Sequence, residues 1–311
     1  MRIKFLFKQD DSGIRKGSLV TRERWTEILE NLGHELIIDN AQADLAIAFH
    51  AYKSSELVFD FKQECPKVPI YICMTGTDLY KLEKAKAERT LELADKIIVL
   101  QDRAKNLIPE DYQDKVVVIY QSADIIDNVK LDKSEEFFDV LVVGHLRDVK
   151  DPMRTAIAVR DLPKYSKIRV LHLGAILEPE YSLLVEEELA INTRYEYLGE
   201  RSKEEVCNHM SSSSLMVLSS KTEGFPSVIS EAIALELPII CSKIDATIAL
   251  FGEDYPGFFE CENTEELRSL LLKAEDDEEF TDYLLGLSQS FKAKLSRRAE
   301  IEAWIEILAL K

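Results

Sequence analysis

The chain has 311 residues, with 39 Lys or Arg, 57 Asp or Glu and a formal net charge of −18. This length favours two domains over one. The acidic balance argues against nucleic acid and anionic membranes as partners, and no apolar run approaches the roughly 20 residues that span a bilayer. We therefore expect a soluble protein without nucleic-acid partners and without membrane insertion.

The cysteines and histidines indicate neither disulfide bonds nor a metal site. There are five of each, the cysteine number is odd, no CxxC pair occurs and the histidines lack metal-ligand spacing. Reduced thiols are typical of a cytoplasmic protein, and no bound metal is expected. The opening segment 1–7 is too short for a signal peptide and is predicted to be a strand.

Strand-like and helix-like segments alternate through the first part of the chain. Helices are predicted at 54–62, 84–93 and 102–107, and an earlier one carries an apolar stripe from Trp25 to Leu32 and ends at Gly33. Strands are predicted at 3–7, 36–39, 45–49, 70–74, 97–100 and 116–120. This alternation is typical of a parallel α/β sheet.

The polar segment 125–136 interrupts this alternation and is interpreted as a linker. The pattern then restarts with strands at 140–143, 168–173, 195–198, 215–218 and 239–241, and the chain ends in helices. The sequence thus predicts an α/β domain at 1–124 and another at 137–290, with a C-terminal helix at 292–311. Two such domains would form a cleft if the carboxyl ends of both sheets faced it, because open sheets bind ligands there.

The segment 222–231 connects the strand at 215–218 to a predicted helix. Glu223 lies on the loop and Glu231 lies eight residues later, within the helix. The backbone between the loop and the helix is formed by Gly224, Phe225, Pro226, Ser227 and Val228. Amides at a helix N-terminus suit a diphosphate, and the two carboxylates could accept hydrogen bonds from sugar hydroxyls. A helix with acidic residues near its start is the ordinary alternative.

A second candidate loop follows the first strand of the second domain. Gly144 permits close backbone approach, and His145, Arg147 and Lys150 follow it within six residues. Arg147 and Lys150 could neutralise a diphosphate leaving group, as cationic side chains do in phosphate-releasing enzymes. Two surface cations without a ligand would give the same pattern.

The first domain offers polar residues after two of its strands. His50 follows the strand at 45–49 and could act as an acid, a base or a hydrogen-bond donor. The strand at 70–74 is followed by the hydroxyls, glycine and carboxylate of Thr75, Gly76, Thr77 and Asp78. A satisfied core histidine and ordinary turn chemistry are the alternatives for these positions.

A basic cluster surrounds the start of the first helix. It contains Arg15, Lys16, Arg22 and Arg24, in a strongly acidic chain. Neighbouring residues that could contact the same ligand are Gly13, Gly17 and Thr21. The start of a helix beside a basic cluster suits an anionic acceptor, whereas a solvated helix face is the alternative.

Missing motifs narrow the function further. The sequence contains no GxGxxG, no GxxxxGK[ST], no GxSxG and no Asp-x-Asp. A dinucleotide fingerprint, a P-loop and a hydrolase nucleophile elbow are therefore absent, and a metal-bound nucleotide-diphosphate site is disfavoured.

Glu223-Gly224-Phe225-Pro226 with Glu231 resembles the E-x7-E element of the retaining, GT-B-fold glycosyltransferases of family 4. The glycine turn at Gly144 and the two α/β halves occur together with it in that family. The resemblance implies two Rossmann-like domains whose parallel sheets face an interdomain cleft, with the C-terminal helix packing on the N-terminal domain. It also implies that Glu223 contacts the donor sugar, Glu231 the ribose and the 225–228 backbone the diphosphate. The family commonly has arginine directly after the glycine, where this chain has His145.

Several short blocks also resemble a subgroup of that family, the selenosugar synthases of selenoneine biosynthesis. These blocks are 75–80, 99–101, 120–123, 143–152 and 252–257. The subgroup often has Gly-Gly-Ala-Asn where this chain has 224–227. The resemblance implies transfer from UDP-N-acetylglucosamine to selenophosphate, which forms a C–Se bond, with no cofactor and no metal. Lys150, Glu223 and His50 are the expected catalytic residues.

Three alternatives remain open from the sequence. One is an ordinary family 4 glycosyltransferase with an alcohol or thiol acceptor. Another is a non-catalytic protein that binds a nucleotide sugar. The third is a nucleotide-sugar epimerase of related fold.

Overall fold

The structure, a computed structural model, describes residues 1–8, 17–80, 84–123 and 132–309, and for 84–86 the backbone alone. Gly13, Arg15 and Lys16 and most of the predicted linker 125–136 lie outside the described residues.

The chain divides into two units. The first unit consists of Met1–Ser122, Glu223–Phe225 and Ser296–Lys311. The second unit consists of Ala123–Thr222 and Pro226–Leu295. The chain therefore leaves the second unit for three residues at Glu223 and returns to it at Pro226.

The strands form one six-stranded sheet in each unit. The first sheet has the order β2-β1-β3-β4-β5-β6 and the second the order β12-β11-β10-β7-β8-β9, and the described pairs are all parallel. The strands are β1 (Arg2–Leu6), β2 (Glu35–Ile37), β3 (Leu45–Phe49), β4 (Ile70–Cys73), β5 (Lys96–Val99), β6 (Val116–Val118), β7 (Phe138–Val143), β8 (Ile168–Leu173), β9 (Tyr195–Gly199), β10 (Leu215–Leu218), β11 (Ile239–Ser242) and β12 (Phe258–Phe259).

Helices follow most of these strands. They are α1 (Gly17–Asn31), α2 (Ser55–Glu64), α3 (Thr77–Tyr80), α4 (Lys84–Glu92), α5 (Arg154–Ala158), α6 (Glu180–Ile191), α7 (Lys203–Ser212), α8 (Ser227–Ala234), α9 (Asp245–Phe251), α10 (Thr264–Asp276), α11 (Glu278–Gln289) and α12 (Arg297–Ala309). Short 3-10 helices cover Asn40–Gln42, Asp102–Leu107, Glu110–Lys115 and Asp148–Lys150.

The central strands are apolar because each sheet is covered on both faces. Every residue of β3, β4, β10 and β11 is buried. Near-continuous apolar strands of this kind are what a parallel sheet requires. The two predicted α/β halves and their parallel sheets are thus confirmed.

The C-terminal helix packs against α1 in the first unit. Trp25 of α1 and Trp304 of α12 are fully buried and meet edge to face, with ring centroids 4.9 Å apart. The Glu300 carboxylate accepts hydrogen bonds from Arg24 Nε at 3.0 Å, Trp25 Nε1 at 2.8 Å and Ser122 N at 3.0 Å, and also from Ser122 Oγ. One buried carboxylate therefore connects α12, α1 and the segment after β6.

The 3-10 helix at Asp102–Leu107 differs from the predicted α-helix. Gln101 caps its start by accepting from Ala104 N at 2.9 Å. Ile108 adopts an extended conformation, since the residue before Pro109 is disfavoured in helical geometry. Only six residues remain between these two limits, which a 3-10 helix can fill.

We predict that Glu300→Gln lowers the free energy of unfolding by about 3 kcal/mol or more, because it leaves the Arg24 guanidinium buried without a charged partner. The matched control is Glu302→Gln on the same helix, whose exposed pair with Arg298 contributes about 0–1 kcal/mol. Urea unfolding followed by tryptophan fluorescence measures both, since the chain has two tryptophans and both lie in this cluster. Equal stability of the two variants would contradict a stabilising role for the buried ion pair between Glu300 and Arg24.

Candidate functional site

The carboxyl ends of β10, β7 and β8 are neighbours at one edge of the second sheet. Ligands of open α/β sheets bind at this edge. A pocket here is lined by Val142, Val143, Gly144, Lys150, Pro152, His172, Val217, Leu218, Ser219 and Ser220. Gly144 and Lys150, which the sequence predicts as ligand-binding residues, therefore share one pocket.

The turn after β7 is held by the segment that follows β8. Gly144 N donates to Leu173 O at 2.9 Å and Leu146 N donates to Ala175 O at 2.9 Å. Ala175 N donates to His145 Nδ1 at 3.0 Å, so a backbone amide fixes the orientation of the His145 ring. The parallel pairing thus continues past the strands and supports the turn along its whole length.

Close backbone contact sets the shape of this turn. Gly174 has φ +154°, and a Cβ at this position would lie 2.0 Å from Gly144 O. A side chain at position 174 would have to displace backbone atoms of the turn. The shape of the turn therefore depends on both glycines, although the sequence analysis identifies only Gly144 as a site residue.

A second set of bonds holds the loop that carries Lys150. Ser219 Oγ donates to Lys150 O at 3.1 Å and to Asp151 O at 2.9 Å. Lys221 N donates to Val149 O at 2.9 Å, and Lys221 Nζ lies 2.8 Å from Asp148 Oδ1. The hydrogen bond with Asp148 raises the pKa of Lys221 above its ordinary value. Lys221 therefore stays cationic and ties the β10 loop to the β7 loop.

Arg147 brings a hydrogen-bond donor to the same loop. Its Nε is buried and has no hydrogen-bond partner within the part of the chain that the structure describes. A buried donor of this kind favours an acceptor oxygen beside it.

Helix α8 begins at Ser227, directly after the extended Pro226. Ile229 N in its first turn donates to Pro226 O at 2.9 Å, and its cap residue provides no side-chain hydrogen bond. The amides of Ser227 and Val228 precede the first helical carbonyl bonds. Val228 is buried, and Glu231 lies half-buried in the second turn. The predicted strand–loop–helix junction is present, with an uncapped helix N-terminus at its end.

The residues Glu223–Phe225 belong to the first unit, where they lie against the loop after β4. A Cβ on Gly224 would lie 2.7 Å from Thr75 O, and one on Gly76 would lie 2.8 Å from Gly224 N. The Phe225 ring meets Tyr120 edge to face at 5.5 Å. Gly224 and Phe225, the two residues after Glu223, are therefore fixed by contacts with the first unit, and these contacts restrict the position of Glu223.

Asp78 shapes the two loops at the carboxyl edge of the first sheet. Its carboxylate accepts from Thr75 N, Gly76 N and Ala51 N, each at 2.9 Å, and is buried. This differs from the open position that the sequence suggests for an acceptor-binding carboxylate. Asp78 joins the loops after β3 and β4, and Thr77 is the half-buried polar residue beside it.

His50 lies in the left-handed region, with φ 73°. Its Nδ1 accepts from Lys53 N at 3.2 Å, so the neutral ring carries its proton on Nε2, which lies 2.9 Å from Thr77 Oγ1. Burial is the main cause that lowers the pKa of His50, although Asp78 opposes it. His50 is therefore a neutral hydrogen-bond donor at neutral pH, in contact with Thr77.

The basic cluster divides when the chain folds. Arg24 is buried in the ion pair with Glu300, instead of lying on an open helix face, because its side chain points into the core between α1 and α12. Thr21 is buried as well, and its Oγ1 donates to Gly17 O at 3.0 Å. Arg22 remains near the carboxyl edge, with its guanidinium 3.6 Å from the centre of the Phe7 ring.

The family profile described as "Glycosyl transferases group 1" matches residues 124–285, which is more than half of the chain. The chain belongs to the group 1 glycosyltransferases. An uncharacterised glycosyltransferase of Methanocaldococcus jannaschii is 23% identical over 266 residues, which cover 84% of this chain and 73% of that protein.

Solved structures confirm the GT-B fold of this glycosyltransferase. Anabaena HepE in complex with UDP-glucose is 16% identical, covers 99% of each chain and has a TM-score of 0.80. A Staphylococcus aureus TarM mutant in complex with fondaparinux, α-GlcNAc-glycerol and UDP is 14% identical, with a TM-score of 0.68 over 90% of this chain and 57% of that one.

Two features are absent from the described residues. None of their helices has the length and apolar character needed to cross a membrane. They also contain no cluster of three or more His, Cys, Asp or Glu residues arranged to hold a metal ion. The absence of a metal requirement and the cytoplasmic location stay predictions.

The sequence does not identify the residues that hold the backbone of the two pocket loops. Gly174, Ser219 and Lys221 each contact a loop that is predicted to bind the ligand. His172 lines the same pocket, and the sequence does not single it out as a site residue. Gly174 and Ser219 directly follow β8 and β10. Their position at strand ends is the signal that could have identified them.

We predict that Gly174→Ala lowers the stability of the glycosyltransferase by about 3 kcal/mol or more, since it combines a strained φ with a clash against the Gly144 carbonyl. Gly199→Ala is the matched control, because Gly199 also has a positive φ, of +74°, but a Cβ added there would meet no atom within 4 Å. The control is expected to lose about 1 kcal/mol. Urea unfolding followed by far-UV circular dichroism measures the difference, and equal losses would contradict the close contact.

Proposed function

We propose that the protein transfers a sugar from a UDP-sugar and that selenophosphate is its acceptor. The observation that carries the proposal is the pocket lined by Gly144 and Lys150 in a member of the group 1 glycosyltransferases. UDP-glucose bound to HepE, which shares the fold, supports a UDP-sugar donor. On this proposal the UDP part contacts Gly144, His145 and Lys150 of the second unit.

The charged groups of the second unit suit a departing diphosphate. Breaking the bond between sugar C1 and the β-phosphate oxygen leaves negative charge on UDP. Lys150, the buried Nε of Arg147 and the amides of Ser227 and Val228 at the start of α8 are donors that stabilise such charge. Glu231 provides a carboxylate for the ribose hydroxyls, and Glu223 provides one for the sugar hydroxyls.

The first unit suits an anionic acceptor. Arg22 lies near the carboxyl edge of its sheet, and the charge of Lys53 acts on His50. The neutral His50 donates its one ring proton to Thr77 Oγ1, which leaves the Thr77 hydroxyl as the hydrogen-bond donor for an acceptor oxygen. Thr75, Gly76 and Gly17 are the remaining described positions where we expect acceptor contacts. A cationic and hydroxyl-lined edge fits selenophosphate better than a neutral sugar alcohol.

The proposed reaction needs no cofactor, because each bond that forms is matched by a bond that breaks. The selenium of selenophosphate attacks C1, a C–Se bond forms, the C1–O bond breaks and UDP leaves with the electron pair. Water then cleaves the P–Se bond and releases phosphate from the selenosugar. Because selenophosphate is already a charged nucleophile, orientation rather than proton removal accounts for much of the rate.

N-acetylglucosamine is the proposed donor sugar. The sequence blocks shared with the selenosugar synthases support this choice. The α-GlcNAc-glycerol bound to TarM supports it as well, since TarM has the same fold.

An ordinary glycosyltransferase with an alcohol or thiol acceptor is the second candidate. The observation in its favour is the sequence Gly224-Phe225-Pro226-Ser227, which is the ordinary family 4 sequence. In the structure, this Phe225 is anchored against Tyr120, so the residue has a defined packing role that any acceptor class could use.

We predict that the purified protein releases UDP from UDP-N-acetylglucosamine rapidly with selenophosphate and slowly without it. UDP release and the new C–Se bond are measured by a coupled assay and by ⁷⁷Se NMR. Thiophosphate, glycerol and a simple thiol serve as matched acceptor controls. UDP release that is the same with and without selenophosphate would contradict the selenium acceptor.

Glu223→Gln is expected to retain UDP binding and lose turnover, whereas a purely binding protein would show no turnover at all.

We predict that kcat/KM is constant near neutral pH and falls only below pH 6.5, the ordinary pKa of histidine. Burial lowers the pKa of His50, so the neutral ring persists below that value. Protonation then removes the Nδ1 acceptor used by Lys53 N. The His50→Gln variant should lack this acid limb. A midpoint at or above pH 6.5, or the same limb in the variant, would contradict the role of neutral His50, with circular dichroism confirming folding across the range.

A further inference from the structure

One buried histidine touches the pocket of the second unit without a role in the proposed reaction. His172 lies on β8 and is 1% exposed. Its Nε2 lies 3.3 Å from Gly144 O, and its Nδ1 lies 3.0 Å from the hydroxyl of Tyr195 on β9. The ring therefore connects the neighbouring strand to the glycine turn.

The chemistry of these partners fixes the tautomer of His172. A carbonyl oxygen only accepts, so the proton must be on Nε2, which donates to Gly144 O. Nδ1 is then an acceptor, and the Tyr195 hydroxyl must donate to it. Burial lowers the pKa of His172 to about 4, so the ring is neutral at neutral pH and keeps one donor and one acceptor.

A similar contact holds the other glycine of the turn. The Tyr197 hydroxyl donates to Gly174 O at 2.7 Å, and the rings of Tyr195 and Tyr197 both meet His172 edge to face. Side chains of β8 and β9 thus bond the carbonyls of Gly144 and Gly174. The backbone of the turn is held from the side of the sheet.

Holding the carbonyl of Gly144 determines the plane of the peptide between Gly144 and His145. In a trans peptide the C=O and N–H point in opposite directions. The orientation of the plane therefore decides which end of the peptide dipole faces a bound anion. A carbonyl oxygen turned toward a phosphate would repel it, whereas the opposite end would attract it.

We propose that His172 is a positioning residue that orients the Gly144–His145 peptide for the diphosphate of the nucleotide. This inference rests on the proposed function, in which this pocket binds a nucleoside diphosphate. His172 acts through the peptide rather than through contact with the reacting atoms. Its effect should therefore concern the phosphates and not the base or ribose.

Calorimetric titration with UDP and with uridine tests this inference. We expect His172→Phe to weaken UDP binding about tenfold, as loss of a buried hydrogen bond does, and to leave uridine binding unchanged. His172→Gln keeps a donor near the Nε2 position and should retain more UDP affinity than His172→Phe. Tyr195→Phe keeps the packing but removes the hydroxyl, and should weaken UDP binding several-fold.

Tyr255→Phe is the matched control. Its hydroxyl is also buried and donates to Ile239 O at 2.7 Å, but it does not contact the glycine turn, so UDP binding should not change. Circular dichroism confirms that each variant is folded, and Tyr195→Phe serves as the test if His172→Phe does not fold.

The outcomes separate the two proposals. If the unmodified protein binds neither UDP nor uridine, the proposed function fails. If it binds UDP and the His172→Phe and Tyr195→Phe variants bind UDP as tightly as the unmodified protein, the positioning role of His172 is overturned. An equal loss for both ligands also overturns it, since a general structural defect does not distinguish phosphates from a nucleoside.

Discussion

The contact between the backbones of Gly144 and Gly174 is the constraint on which the pocket of the second unit depends. A Cβ at position 174 would lie 2.0 Å from Gly144 O, so the turn keeps its shape only while that position lacks a side chain. The backbone bonds from Leu173 and Ala175 and the ring of His172 act on the same short segment. Several independent contacts thus specify one backbone conformation, as a preorganised anion site requires.

The first unit uses buried polar groups for a different purpose. Glu300 connects α12 to α1 and to Ser122, and Asp78 joins the loops after β3 and β4. Both carboxylates have several donors, which compensates for the loss of water around a buried charge. Asp78 holds the loops that carry His50 and Thr77, and neither buried carboxylate is itself open to a ligand.

The sequence predicts the sheets well because their strands are apolar and short. The strands at 45–49, 168–173 and 215–218 have the predicted bounds. The sequence does not reveal β12, because two residues carry no periodic signal. Among site residues, Gly144 and Lys150 are found from their place after a strand, whereas the burial of Arg24 depends on Glu300, 276 residues away. Contacts between distant segments leave no local pattern, which is also why the sequence does not identify Gly174 and His172 as supports of the turn.

A crystal structure of the protein with bound UDP tests the central claim most directly. The account predicts that the diphosphate lies against the Gly144–His145 peptide, with Lys150 Nζ within hydrogen-bond distance of a phosphate oxygen. It also predicts that the Gly144 carbonyl stays bonded to His172. UDP bound elsewhere on the chain, or with its phosphates away from the glycine turn, would contradict the account.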